Sequence, residues 1–255
     1  MQPDASAMPG EILSPSQAST FLGCSAKYRY KYLLGIPDPA AGGAVRGRAV
    51  HKAIEYYMRP KIAGVELDAG NLIYDWDTIW DEVSVDAEFA AGENVESLKE
   101  SAHTLASKYL REAGPEIRPV AVEVPVTGEI GGAKVRGIVD IIDENGTIID
   151  IKTSSRKPSK ISGDYAFQVA TYTHLLDQEV SGETRIDSLV ATKDPQLVRI
   201  DHTPGESGKK LVEQVYPLVV EGINNGLFIP NRASTLCSHC PYKQECAEEF
   251  GGLVE

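Results

Sequence analysis

Cysteine is scarce. The 255 residues hold four, one at Cys24 and three crowded between Cys237 and Cys246, and in a chain expected inside the cell a disulfide framework is set aside. No apolar run approaches the ~20 residues a membrane span needs, and Met1-Gln2-Pro3-Asp4-Ala5 is not a basic, apolar leader. The expected location is therefore cytoplasmic, with no membrane partner. Positive charge is also short: 25 Lys and Arg face 37 Asp and Glu, a net charge of −12, which excludes a surface coated throughout in positive potential. No internal repeat is visible. What is present, 42% hydrophobic and 24% charged residues, is ordinary for a globular chain and excludes wholesale disorder. The length suits one large domain or two small ones.

The charge is uneven. Residues 18–62 carry eight Lys/Arg against two acids, whereas residues 63–117 carry thirteen acids against three bases. The acidic stretch reads as a solvated, helical insertion. A short basic run returns at Lys152, Arg156, Lys157 and Lys160. Ser14-Pro15-Ser16-Gln17 is a helix start, with a Ser cap, Pro at the first position and Gln closing a capping box; that helix is expected to run toward Tyr32. Further helices are expected over 45–58, 76–89, 96–112, 164–178 and 208–224, with a loop at 40–43. Period-two alternation predicts strands over 119–127, 134–143 and 147–153, and 185–192 and 196–201 read as two more, joined through Lys193-Asp194-Pro195. The expected class is α/β, a mixed central sheet flanked by helices behind an N-terminal helical region. The tail, residues 230–255, is short of regular pattern.

The most informative stretch is Gly137-Ile138-Val139-Asp140-Ile141-Ile142-Asp143-Glu144-Asn145-Gly146-Thr147-Ile148-Ile149-Asp150-Ile151-Lys152-Thr153. Two apolar strands each carry an aspartate, where a charge is costly unless paired or bound to metal. Asp150 and Lys152 are two apart and share a strand face. A two-residue Asn-Gly turn would send Asp140 and Asp150 to opposite faces. A three-residue loop, Glu144-Asn145-Gly146 with Gly146 left-handed, places them opposite one another, and this is the register expected. Two such carboxylates repel unless a cation lies between them, and oxygen ligands suit Mg²⁺ or Mn²⁺. A salt-bridged hairpin, with Lys152 neutralising Asp150, explains the same residues equally well.

Beyond the hairpin, Gly47-Arg48-Ala49-Val50-His51 puts a histidine on a helix one turn after a glycine. Gln168 and Tyr172 are i and i+4, neighbours on one helix face. His51, Asp140, Asp150, Lys152, Gln168 and Tyr172, in this order, resemble the PD-(D/E)XK nucleases, and among them the RecB-like branch. The proline that often precedes the first acid is replaced by Val139, a departure common in that branch. The resemblance implies a restriction-endonuclease-like core. It implies that His51, Asp140 and Asp150, with the Ile151 carbonyl, hold one or two Mg²⁺ or Mn²⁺ ions, and that Asp140, Asp150 and Lys152 form the catalytic set. Gln168 and Tyr172 would position the scissile phosphate or strand, and Glu123, where the branch often has an acid, is an accessory candidate whose plainer reading is a surface glutamate.

Cys24 and the Cys237-x2-Cys240-x5-Cys246 cluster read first as a metal site. They resemble the 4Fe–4S staple of RecB-like nucleases, which would tie the tail 230–255 to Cys24; Zn²⁺ in a Cys₄ site or free thiols fit the same spacing. His239 is a weaker ligand candidate. Taken together, the resemblance implies a single RecB-like nuclease domain over 1–255, interrupted by the acidic segment 63–117. The implied activity is metal-dependent hydrolysis of phosphodiester bonds in single-stranded or free-ended DNA by an exonuclease. No GxxxxGK[ST] loop is present in these residues, so a full helicase–nuclease subunit is not expected. Basic stretches 27–61 and 152–160 would guide the phosphate backbone, with Tyr28, Tyr30 or Tyr32 stacking on bases. Recombination or CRISPR-adaptation proteins are the implied partners. The competing class is a non-catalytic DNA-end-binding or assembly module of the same fold.

Overall fold

Ser14 starts the first helix as expected. Its Oγ accepts from the Gln17 amide at 3.2 Å, and the Gln17 side chain accepts from the Ser14 amide at 2.8 Å, satisfying donors that a first turn leaves unpaired. The structure, a computed structural model, describes residues 11–38, 42–68, 76–89, 92–232 and 235–251. Helix α1 (Pro15–Gly23) stops at Cys24, whose extended backbone divides it from α2 (Ser25–Tyr28) and a π-helical turn, Arg29–Leu33. The sequence suggests one unbroken helix here. The break falls where residues 229–231 bond to the chain: the Ala26 amide donates to Ile229 O, and Asn231 Nδ2 donates to Gly23 O. No helical periodicity could report those partners.

The chain continues through α3 (Gly42–Ile62), α4 (Trp76–Ser84) and α5 (Val95–Glu112) into β1 (Pro119–Ile130), β2 (Ala133–Asp143) and β3 (Ile148–Ser154). There follow α6 (Gly163–Leu176), β4 (Thr184–Val190), β5 (Gln196–His202), α7 (Gly205–Asn224), a 3₁₀ turn (Thr235–His239) and α8 (Lys243–Phe250). Of the expected loop 40–43, residues 40 and 41 lie outside the described residues, and Gly42 and Gly43 open α3. The tail is more regular than its sequence suggests, because α8 carries Cys246. Among the described residues no helix is long and apolar enough to cross a membrane.

The five strands form one mixed sheet in the order β1-β2-β3-β4-β5, giving the α/β class that the alternation pointed to. β2 and β3 are antiparallel, β3 and β4 parallel with α6 as the crossover, and β4 and β5 antiparallel. The β2–β3 connection is the three-residue loop. Asp143 N donates to Thr147 O at 3.1 Å, Gly146 N donates to Asp143 O at 2.9 Å, and Gly146 is left-handed at φ 75°. Pairing of Ile141 with Ile149 and Ile142 with Ile148 sets the register that puts Asp140 opposite Asp150.

The chain divides into two compact units. One comprises Met1–Asp38, Val126–Gly137 and Glu206–Glu255. Its described part includes an apolar cluster of Ala26, Tyr30 and Tyr242, against which Ile36 and Phe250 pack. The other comprises Pro39–Pro125 and Ile138–Gly205. Here α3 and α5 pack together, and Ala49, Ile54, Leu105 and Tyr109 join Ile149 and Ile151 of β3 in the core. The acidic stretch 63–117 therefore does more than face water: Ile79, Trp80 and Leu110 are buried in this core.

Candidate active site

All the chemistry-bearing residues of the sheet and its helices lie in the second unit. His51 lies midway along α3, Glu123 on β1, Asp140 on β2, Asp150 and Lys152 on β3, and Gln168 and Tyr172 on α6. α3 can approach β3 because Gly47 has no side chain: a Cβ there would lie 3.2 Å from Thr153 Oγ1. That proximity sets His51 beside the strands.

His51 Nδ1 is 3.3 Å from Asp140 Oδ1 and 4.0 Å from Glu123 Oε1. One ligand atom from each of the three lies within 4.8 Å of the others. Asp140 Oδ2 accepts from the Ile151 amide at 2.7 Å, which orients the carboxylate and leaves Oδ1 toward the imidazole. Asp150 lies outside this trio and is paired instead with Lys152: Nζ donates to Oδ1 at 3.0 Å and lies 2.8 Å from Oδ2. Oδ2 is off the hydrogen-bonding direction and is a buried oxygen with no hydrogen-bond partner. Lys152 Nζ also lies 5.2 Å above the Tyr165 ring, a cation–π contact that holds its head group. Gln168 Nε2 donates to Tyr172 Oη at 2.8 Å, so the pair acts as one unit on α6, which packs on β3.

The electrostatics of the group are those of crowded acids. Burial raises Glu123, neighbouring Asp140 adds to it, and the carboxyl is pushed up to about 7. Burial and the Asp140 charge raise Asp150 to about 6 against the opposing pull of Lys152. Burial by itself would lower His51, but the Asp140 carboxylate overrides it and the imidazole is raised. Asp140 responds in the opposite sense: burial favours its acid form, His51 opposes that, and the net direction is down. Burial disfavours the Lys152 cation, yet Asp150 and Asp140 hold it above its ordinary value. Two carboxyls pushed upward by burial and by the neighbouring Asp140 carboxylate fit a site completed by a cation. Nitrogen and hard oxygen donors suit a divalent metal.

Glu123, an accessory candidate in the sequence, is brought beside His51 and Asp140. Its backbone is left-handed, φ 51°, a conformation costing a non-glycine residue about 1 kcal/mol. The strand's burial rhythm breaks there, with Pro119, Val122 and Val126 buried instead of every second residue. The only signal in the sequence was an acid inside a valine run. His51, Arg48, Lys52, Glu55, Glu82 and Glu123 line a cleft of about 550 Å³. Tyr28 and Tyr30 are buried, at 0% and 3% exposure, and are not available to stack on bases. Tyr30 packs on Tyr242 and donates to Glu249 instead.

In the first unit, Cys24, Cys237, Cys240 and Cys246 are all free thiols and line one cavity of about 50 Å³, with Lys27, Arg232 and Lys243 around it. Burial raises the Cys246 thiol, and the other three cysteines add to the shift. Four soft donors lining one small cavity are the ligand type of a thiolate-bound metal. His239 exchanges a hydrogen bond with Ser238 Oγ at 2.8 Å.

A mixed sheet carrying an acid–acid–lysine constellation, with an imidazole supplied by a flanking helix, forms a group that could hold a metal ion. The chain belongs to the PD-(D/E)XK nuclease superfamily, whose family model matches residues 12–247. Members use divalent metals. Among solved structures, a candidate exonuclease from Eubacterium rectale is 18% identical with a TM-score of 0.62, over 94% of this chain and 93% of that one; this likeness is one of fold. SSO0001 is similar at 12% identity and a TM-score of 0.39, over 86% and 91% of the two chains. No curated protein matches.

Proposed function

We propose that the protein is a metal-dependent DNA nuclease of the RecB-like branch, an exonuclease hydrolysing single-stranded or free-ended DNA. The observation that carries this reading is the convergence of His51, Glu123 and Asp140 beside the buried Asp150–Lys152 pair. His51 Nδ1, a Glu123 oxygen and Asp140 Oδ1 would hold Mg²⁺ or Mn²⁺, with Asp150 Oδ2 and the Ile151 carbonyl available to a second position. A bound divalent cation supplies a water of lowered pKa and charge neutralisation at the phosphoryl group. Lys152, kept cationic by two carboxylates, orients the attacking water and offsets charge growing on the phosphoryl oxygens. The water oxygen bonds to phosphorus, the bond to the 3′ oxygen breaks, and that oxygen leaves with a proton. Gln168 and Tyr172 position the strand from α6.

The four cysteines hold a 4Fe–4S cluster in this reading, with Zn²⁺ the alternative; a brown protein absorbing near ~400 nm distinguishes the first from the second. Of the basic stretches, 156–160 is the better candidate for the phosphate track. In the earlier stretch, Lys31 pairs with Asp38, Arg29 with Glu249, and Lys52 with Glu82. Recombination or CRISPR-adaptation proteins are the partners this reading suggests.

The test is digestion of end-labelled single- and double-stranded DNA with Mn²⁺, wild type beside Lys152→Ala. The expected outcome is that activity falls by about 10²–10³-fold while Mn²⁺ binding persists, as removal of a charge-stabilising group implies. Equal products from both proteins would favour the non-catalytic DNA-end-binding module.

A further inference from the structure

One residue of the first unit touches both halves of the split cysteine motif. Asn231 donates its backbone N–H to Cys24 Sγ at 3.4 Å, its carbonyl accepts from the Cys237 thiol at 3.1 Å, and its side-chain Nδ2 donates to Gly23 O at 2.8 Å. Other bonds stitch the same two segments. The Ile229 amide donates to Ser25 Oγ at 2.8 Å, and Ser25 Oγ lies 3.3 Å from Ile229 O, toward which the Cys24 thiol also points at 3.9 Å. Ser25 thus secures the loop without touching a sulfur. Asn231 secures it and addresses two sulfurs.

We propose that Asn231 is the positioning residue of the four-cysteine site: its amide grips Gly23 and so aims a backbone donor at Cys24 beside Cys237. This rests on the reading that the cysteines hold a metal. The Asn231 N–H occupies one lone-pair direction of Cys24 Sγ while the side-chain amide holds Gly23, and together they fix where that sulfur points. With a metal bound, Cys237 would turn from the Asn231 carbonyl to serve as a ligand, its proton passing to solvent. The grip on Gly23 does not involve a thiol and persists through this exchange. Cys24 is the lone ligand of the N-terminal segment, so this grip governs whether the split site closes.

The experiment uses the full chain, stripped of metal and kept reduced. Co²⁺ is titrated in and followed by its thiolate charge-transfer band, and the loaded protein is then challenged with EDTA. Asn231→Asp keeps the side chain's size while removing the donor, and Asn231→Ala is the companion should the added charge disturb folding. Both are expected to bind Co²⁺ about 10–100-fold more weakly and to lose it correspondingly faster, the usual cost of an outer-shell partner. Ser25→Ala, which removes only the loop stitch, should stay within about threefold. Wild-type affinity in both Asn231 variants, or a Ser25→Ala loss equal to theirs, overturns the proposal. A wild-type protein that shows neither a thiolate–cobalt band nor, after reconstitution with iron and sulfide, absorption near ~400 nm overturns it differently, by removing the metal site itself.

Discussion

Glu123 shows what one residue gives up to serve this site. A left-handed backbone and a carboxyl raised to about 7 by burial and by Asp140 both cost the fold something. The sign of the pH effect follows. A folded value of about 7 against an ordinary 4.5 means that folding takes up a proton between those limits. The stability this contributes is full below about 4.5 and is lost as pH rises through 7. In metal-free protein, Glu123→Gln should therefore become progressively more stable relative to wild type between pH 5 and 8, read from urea midpoints in chelator. A difference independent of pH would remove Glu123 from the buried acid group. Asp150 and Lys152, by contrast, were legible from their spacing, because a strand places i and i+2 on one face whatever surrounds it.

Elements add geometry that single residues lack. Gly47 lets α3 lie against Thr153, and Gly47→Ala sets two effects against each other. Helix propensity favours Ala by about 0.5–1 kcal/mol, while the new Cβ meets Thr153 Oγ1 at 3.2 Å. Stability should change by less than about 1 kcal/mol, yet Mn²⁺ affinity should fall about tenfold as His51 shifts from its acids. The double variant Gly47→Ala/Thr153→Ala should recover it, and calorimetric titration of both decides. The β2–β3 loop is less forgiving. Gly146 combines φ 75° with a Cβ position 2.8 Å from the Ser181 amide. Gly146→Ala should cost about 2 kcal/mol or more in urea unfolding. Gly146→Asn, despite its tolerance of left-handed backbone, should not restore stability, because the contact remains. The sequence pointed to this loop through its glycine and through the demand that two aspartates share a face.

At the scale of the whole molecule, a net charge of −12 leaves few cations for a polyanion. Arg29, Lys31, Lys52 and Arg59 are engaged by Glu249, Asp38, Glu82 and Glu55, and Lys61 is buried with its ammonium on the Gly114 and Ile117 carbonyls. Arg156, Lys157 and Lys160 are exposed, and among the described residues no ion pair holds them. Replacing all three by Ala should weaken single-stranded DNA binding at every sequence and reduce the slope of log affinity against log salt by about 2, at roughly 0.7 per phosphate contact. An unchanged slope, measured by fluorescence anisotropy from low to high salt, would place the phosphate track elsewhere.

Local rules were enough to reach the alternation of the strands, the capped first helix, the three-residue loop and the pairing of Asp150 with Lys152. Each depends on residues a few positions apart, whose geometry is set by backbone sterics and turn chemistry. Tertiary structure decided what joins these pieces. It brought Glu123 to His51 and Asp140, buried Tyr28 and Tyr30, broke the first helix at Cys24 and gathered four cysteines onto one cavity. These contacts link residues far apart in the chain, and no periodicity records them; packing alone determines which distant side chains meet.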